Sequence, residues 1–200
     1  MMIMITGGSG SGKSAYAEEY FSRLASDCLQ YYIATMQVSD KESRLRVQKH
    51  RRMRENRGFS TIEQPVQIEQ ALDRLIMDRR LWKGPGLPRQ AALVECLSNL
   101  VANEMFSGQR KSGEEEMSRR MEPEERILEG MEILWRNTEH LVVVTNNVFE
   151  DGCFYEESTL SYIRTLGRIQ QRLAGMADQV IEVVAGIPVF VKGGEKNALS

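Results

Sequence analysis

The hydrophobic pattern of the chain predicts an α/β fold, with a mainly parallel sheet flanked by helices and closed by a C-terminal β-hairpin. Three observations carry this. Short apolar runs alternate with segments of helical periodicity along the whole chain. The runs are nearly continuous rather than alternating, as strands covered on both faces require. The first run passes through glycines directly into a helix, the start of a strand–turn–helix unit. The 200 residues contain no internal repeat and no linker long enough to separate a second domain, so 1–200 reads as one domain.

Met2–Thr6 (MIMIT) is the first buried strand, and from Gly12 a helical pattern runs through Ala17, Tyr20, Phe21 and Leu24. Gln30–Thr35 (QYYIAT) reads as the second strand. Asp40–Asn56 is polar and helical, and Ser60–Glu63 is a short extended piece. Pro65 opens a predicted helix with apolar positions at Ile68, Ala71, Leu72 and Leu75. KGPGLP, Lys83–Pro88, is a loop. Ala91–Cys96 (AALVEC) is the third buried strand, followed by a helix over Leu97–Phe106. Ser107–Glu125 is charged and poor in apolar residues, which reads as a solvated loop or helix start. Glu124–Trp135 is helical, Leu141–Asn146 (LVVVTN) is the fourth strand, and Thr159–Ala177 is a long helix. Gln179–Val184 and Pro188–Lys192 form the hairpin about Gly186, and the residues after Gly193 read as a frayed tail.

Lys and Arg number 26 against 28 Asp and Glu, a net charge of −2. That balance excludes a surface built wholly for nucleic acid or anionic membrane. Three cysteines (Cys28, Cys96, Cys153) cannot all pair and match no zinc spacing, so they read as thiols buried in a reducing compartment. No apolar run approaches the ~20 residues of a membrane span, and no basic region leads a signal sequence. The expectation is a soluble cytoplasmic protein without a membrane span.

Gly7-Gly8-Ser9-Gly10-Ser11-Gly12-Lys13-Ser14 fits the phosphate-binding pattern G-x4-G-K-S and sits between a strand and a helix, where the mechanism requires it. Glycines let backbone N–H groups turn inward around phosphate oxygens, and the helix N-terminus adds its dipole. Lys13 reaches the β and γ phosphates, and Ser14 is a ligand for Mg²⁺. Such a site also needs an acidic group at the end of a neighbouring strand. Glu95, closing AALVE, is the best candidate, with a plain helix N-terminal carboxylate as the competing reading. LVVVTN ends instead in the uncharged Asn146 and Asn147.

Between Lys41 and Arg57 stand eight cations against two carboxylates, a local charge of +6 hidden inside the near-neutral total. On a helix Arg46, His50 and Arg54 share one face. Leu45, Val47 and Met53 form no apolar stripe, so this is not an ordinary core helix. Three readings stay open: a solvated charged helix, a nucleic-acid patch without the aromatic platform such patches use, and a polyphosphate site. In the last, the cations keep His50 neutral and so nucleophilic toward phosphorus. The other histidine, His140, opens LVVVTN and reads as structural.

The phosphate loop is followed in order by YIAT (Tyr32–Thr35), R-V-x-x-H (Arg46–His50) and F-x-T-x-E-x-P (Phe59–Pro65). Then come LVECLSNLVAN (Leu93–Asn103), VVVTN (Val142–Asn146), GRIQQRLAGMADQV (Gly167–Val180) and a Gly-x-Pro at Gly186. Together these resemble the bifunctional adenosylcobinamide kinase/adenosylcobinamide-phosphate guanylyltransferase family of cobalamin synthesis, over nearly the whole chain. The resemblance implies a P-loop NTPase-like (RecA-like) fold assembled as a homotrimer. It implies phosphorylation of the aminopropanol hydroxyl of adenosylcobinamide, with GTP or ATP as donor and Mg²⁺. It also implies transfer of GMP from GTP to that phosphate through a GMP–histidine intermediate on His50. Nucleotide contacts carry over to Gly7 through Ser14, to Ala34, Thr35 and Met36, to Arg51, Arg52, Met53 and Arg54, and to Glu63 and Glu95. Catalytic roles fall to His50 and Lys13, and metal ligation to Ser14 and Glu95. The implied partners are small corrinoids, with no nucleic acid.

The chain departs from the family pattern at a few positions. Asn146-Asn147-Val148-Phe149 stands where Asn-Glu-Val-Gly is usual, and Phe59 replaces a tryptophan. Ile163-Arg164 stands for Arg-Asp, and Gln170 for Asn. These lie mostly in the second half, away from the nucleotide motifs. They keep two alternatives in view: a P-loop small-molecule kinase without guanylyl transfer, and a non-catalytic GTP-binding relative.

Overall fold

The computed structural model describes residues 1–37, 58–106, 121–148 and 155–194. Strand β1 (Met2–Thr6) lies in the interior of a seven-stranded sheet, and its side chains divide between two cores. Ile3 and Ile5 face one layer, and Met2 and Met4 face the other. The same division holds for β4 (Gln90–Glu95) and β5 (His140–Val144), where Leu93 and Val142 face opposite to Val94 and Val143. A continuous apolar run is thus what a strand buried on both faces needs.

With β2 (Leu29–Ala34), β3 (Ser60–Glu63), β6 (Gln179–Val184) and β7 (Ile187–Lys192), the order is β3-β2-β4-β5-β1-β6-β7. All pairs are parallel except β6 with β7, the antiparallel hairpin expected from the sequence.

Helix α1 (Lys13–Leu24) packs Ala17 and Phe21 onto one face. The other face is covered by α2 (Ala71–Leu81), α3 (Leu97–Phe106), α4 (Pro123–Asn137) and α5 (Glu157–Met176), through residues such as Leu75, Leu100, Met131 and Ile169. Each such large apolar side chain contributes about 1.5–3 kcal/mol on burial. The Phe21 ring lies 5.8 Å from Phe59, which lies 6.3 Å from Tyr32. Phe59 therefore places its ring between Phe21 and Tyr32 in the core layer under α1.

Most strand and helix bounds match expectation to within two residues. The helix predicted from Pro65 is the exception. Gln67 takes a left-handed φ of 51°, a short 3₁₀ turn follows at Ile68–Gln70, and α2 begins only at Ala71. That left-handed residue is what stops a helix from running on from Pro65, and its backbone N–H donates to Glu104 Oε1 (2.7 Å). Glu104 in turn pairs with Arg126 (3.1 Å) in a nearly buried bridge between α3 and α4. The helix expected over Asp40–Asn56, most of Ser107–Glu125, Cys153 and the end of the tail lie outside the described residues. Among the described residues no helix is long and apolar enough to cross a membrane. Cys96 is buried and Cys28 half-buried, and both are free thiols.

Candidate nucleotide site

Parallel strands point their C-terminal ends the same way, and ligands of open α/β sheets collect there. At that end β1 stops at Thr6 and the chain turns through Gly7–Gly12 into α1. Two glycines are required by geometry. A Cβ on Gly7 would lie 2.6 Å from the Val183 carbonyl oxygen, and Gly12, at φ 86°, caps α1 in the left-handed region. The loop is fastened on two sides. Asn147 N donates to Gly7 O (3.1 Å), and Gly186 N donates to Ser11 O (2.8 Å). Its rim is therefore set before any ligand arrives.

Lys13 is only 8% exposed, and its Nζ donates back to Gly8 O at 3.2 Å. A lysine folded over its own loop in this way is placed to exchange that carbonyl for phosphate oxygens. Ser14 Oγ donates to Glu95 Oε1, and Tyr32 OH donates to Glu95 Oε2 at 2.8 Å. Glu95 therefore ends β4 with both carboxylate oxygens engaged and aimed at the first turn of α1. Glu95 is thus brought against Ser14 at the start of α1.

A cavity of about 300 Å³ opens beside these groups, lined among others by Lys13, Ser14, Met36, Glu63, Glu95 and Asn99. Ala34 belongs to the same wall. Thr35 does not. It is fully buried, and its Oγ1 accepts from Cys96 N (2.7 Å) and donates to Cys96 O (2.8 Å). Its side chain thus staples the end of β2 to the β4–α3 connection. Thr35→Val keeps the shape but strands the buried Cys96 amide, so an unfolding free energy lower by about 1–3 kcal/mol is expected in denaturant titration. Behind it the Asn103 amide donates to both Thr35 O (2.8 Å) and Pro65 O (2.9 Å). Burial pushes the Cys96 thiol above its ordinary pKa, so it stays a protonated, unreactive group beside Ser98.

Gln170, one of the departures, has a definite structural role. Its Nε2 donates to Thr145 Oγ1 (2.7 Å) and Asn146 O (2.9 Å), holding the turn after β5. Asn146 Nδ2 donates to Ser98 Oγ (2.9 Å) and lines the cavity. His140 begins β5, as its place in the sequence implies, and desolvation lowers its pKa. His50, Arg51, Arg52, Met53 and Arg54 lie outside the described residues.

Residues 3–191 match the family described as cobinamide kinase / cobinamide phosphate guanyltransferase. The chain belongs to that family. Among its relatives is the bifunctional adenosylcobalamin biosynthesis protein CobU of Salmonella typhimurium, 34% identical over 199 residues, covering 96% of this chain and all of the relative. The Escherichia coli protein of the same description is 34% identical over 197 residues, with the same coverage. The bifunctional protein CobP of Pseudomonas aeruginosa is 30% identical over 197 residues, covering 96% of this chain and 98% of the relative. Among solved structures, an ATPase domain aligns with a TM-score of 0.50 at 13% identity, covering 90% of this chain and 68% of that one. A DnaB-like replicative helicase also aligns at 0.50 and 11% identity, covering 90% and 46%. At such identities the likeness shows the fold, that of a P-loop NTPase.

For this member of the cobinamide kinase family, sequence reasoning misses Tyr32 as a partner of Glu95, and Asn99, Thr61 and Asn146 as cavity residues. The registers point to Tyr32. Ala34 pairs with Glu95 across β2 and β4, and Tyr32 shares Ala34's face. That pairing is not visible until the two strands are known to be neighbours.

Proposed function

We propose that the chain is a bifunctional adenosylcobinamide kinase and adenosylcobinamide-phosphate guanylyltransferase, acting in the cytoplasm as a homotrimer. The observation that carries the reading is the meeting of Lys13, Ser14 and Glu95 beside one cavity, in a chain of this family. The trimer rests on family resemblance alone.

Ser14 and Glu95 offer a hydroxyl and a carboxylate in direct contact, a hard-oxygen pair that suits Mg²⁺. Mg²⁺ typically takes one or two carboxylates and completes its shell with substrate phosphates and water, so no larger protein cluster is needed. When bound, it neutralises charge on the β and γ phosphate oxygens.

In the kinase reaction, loop N–H groups and Lys13 hold the triphosphate of GTP or ATP. The aminopropanol oxygen bonds γ-phosphorus in line as the bond to the nucleoside diphosphate breaks, and the hydroxyl proton is released to solvent. In guanylyl transfer, GTP lies with its guanosine in the cavity by Ala34, Met36 and Glu63. Arg51, Arg52 and Arg54 supply cations for its phosphates, with Met53 counted among the nucleotide contacts by resemblance. A neutral His50 nitrogen attacks α-phosphorus. The N–P bond forms as the bond to pyrophosphate breaks, and the phosphate of adenosylcobinamide phosphate later displaces His50.

Incubation with labelled GTP and Mg²⁺ is expected to leave acid-labile, base-stable GMP on the protein. His50→Ala is expected to abolish that label while adenosylcobinamide is still phosphorylated. No label on folded, GTP-bound wild type would overturn the guanylyltransferase half. Asn147, where the family has a carboxylate, favours one second reading, a kinase that has lost guanylyl transfer. Product stopping at adenosylcobinamide phosphate would establish it.

A further inference from the structure

Tyr32 carries its hydroxyl to the rim of an apolar layer. The residue is 6% exposed and belongs to the same buried cluster as Ile5, Phe21 and Leu93. Its OH donates to Glu95 Oε2 at 2.8 Å, while Ser14 Oγ donates to Oε1 of the same carboxylate. We propose that Tyr32 is a positioning residue for phosphoryl transfer, acting through Glu95 by fixing the way that carboxylate faces. The proposal rests on the metal reading of Glu95 given above and deepens it.

A glutamate at a strand end needs such a hold. One hydrogen bond to Ser14 leaves the carboxylate free to pivot about that contact. A second donor on the other oxygen fixes its plane, so that both bonds are met in one orientation. Charge held in place before a ligand arrives costs no reorganisation during the reaction. Groups that orient a ligating side chain in this manner are worth roughly 10–100-fold in metal affinity or activity.

Tyr32 is itself held by strand register and ring packing. On β2 it stands opposite Leu93, and Ala34, two residues on along the same face, stands opposite Glu95. The phenol therefore reaches along the sheet toward its ligand end to meet a carboxylate one pleat further on. Its ring stacks on Phe59 at 6.3 Å, and Phe59 meets Phe21 of α1 at 5.8 Å. Helix α1 also carries Ser14, so the two donors to Glu95 are tied together through this aromatic column. The packing asks only for a ring, which phenylalanine would supply. A hydroxyl buried there is costly without a partner, and Glu95 provides one.

The test compares the full wild-type chain with Tyr32→Phe, Glu95→Gln and the double variant. Mn²⁺ is titrated into protein saturated with a non-hydrolysable GTP analogue and followed by its electron paramagnetic resonance signal, a readout that needs no turnover. Tyr32→Phe is expected to weaken Mn²⁺ binding by about tenfold, and to lower kcat for adenosylcobinamide phosphorylation by a similar factor. KM for the corrinoid is expected to stay within about twofold, and the thermal midpoint close to wild type. In the Glu95→Gln background the same substitution is expected to change Mn²⁺ affinity and kcat by less than about twofold, because no charge is left to orient. A purely structural role would lower the thermal midpoint and leave Mn²⁺ affinity unmoved. That result, or an equal loss in both backgrounds, would overturn the proposal. If Glu95→Gln binds Mn²⁺ like wild type, the metal reading falls and takes the proposal with it. If Glu95→Gln weakens Mn²⁺ binding and Tyr32→Phe does not, the proposal alone falls.

Discussion

Glu95→Gln is expected to lower kcat/KM for adenosylcobinamide phosphorylation by about 10²–10³-fold, with the thermal midpoint nearly unchanged. The two consequences separate because the amide keeps the shape of the carboxylate but loses its charge. Its oxygen still accepts from Tyr32, and its NH₂ can donate to Ser14 Oγ, whose hydroxyl rotates to suit. The local hydrogen bonds thus survive with one reversed in sense. The negative charge that would organise Mg²⁺ against the phosphates does not survive. Removing one preorganised electrostatic group from a water-poor site typically costs about 2.7–4 kcal/mol of transition-state stabilisation. Steady-state kinetics over a Mg²⁺ series checks this, alongside a thermal melt. Full activity in Glu95→Gln at ordinary Mg²⁺ would remove Glu95 from the metal site and return it to a role at the start of α3.

Lys13→Met is expected to reduce both activities together, each on the order of 10³-fold. The proposed mechanism routes both triphosphates through the same loop, and phosphoryl transfer relies on positioning and charge stabilisation more than on acid–base chemistry. Methionine retains the apolar stem of a side chain that is 8% exposed, so the packing around it changes little. The variant differs from His50→Ala in kind. The lysine change affects phosphorylation and GMP labelling alike, whereas the histidine change removes only the label. Measured side by side, the two patterns assign the loop to both reactions and His50 to one. Wild-type labelling in Lys13→Met would mean that GTP donates GMP from somewhere other than Gly7–Ser14.

The parts of the site that are legible in the sequence are local in the chain. Gly7–Ser14 is eight consecutive residues whose role depends on backbone conformation and on the strand and helix at either end, all of which hydrophobic periodicity reports. Glu95 is legible for a similar reason, as the acid at the close of an apolar run. The helix expected from Pro65 starts later than periodicity implies because Gln67 takes a left-handed φ, which a right-handed helix does not accommodate, and α2 begins only at Ala71. Glu104, on α3, accepts from the Gln67 N–H of that turn, a contact between residues far apart in the chain. Thr35 is assigned to the nucleotide by resemblance, and its hydroxyl bonds both backbone groups of Cys96, 61 residues later, a pairing that no local pattern reports.

By itself the sequence determined the α/β class, the phosphate loop with its lysine and serine, the closing hairpin and the family, since each is written in adjacent or periodic residues. The tertiary structure alone decided what lies beside what. It placed β2 next to β4, so that Tyr32 and Ser14 converge on Glu95. It placed β6 next to β1, so that the Ala185–Gly186 turn docks on Ser11 and opens a second cavity on the far side of the loop. The physical reason is that periodicity encodes the conformation of a segment and the face it buries. The lateral order of parallel strands is set by how the crossover segments pack over the sheet, through contacts among residues far apart in the chain.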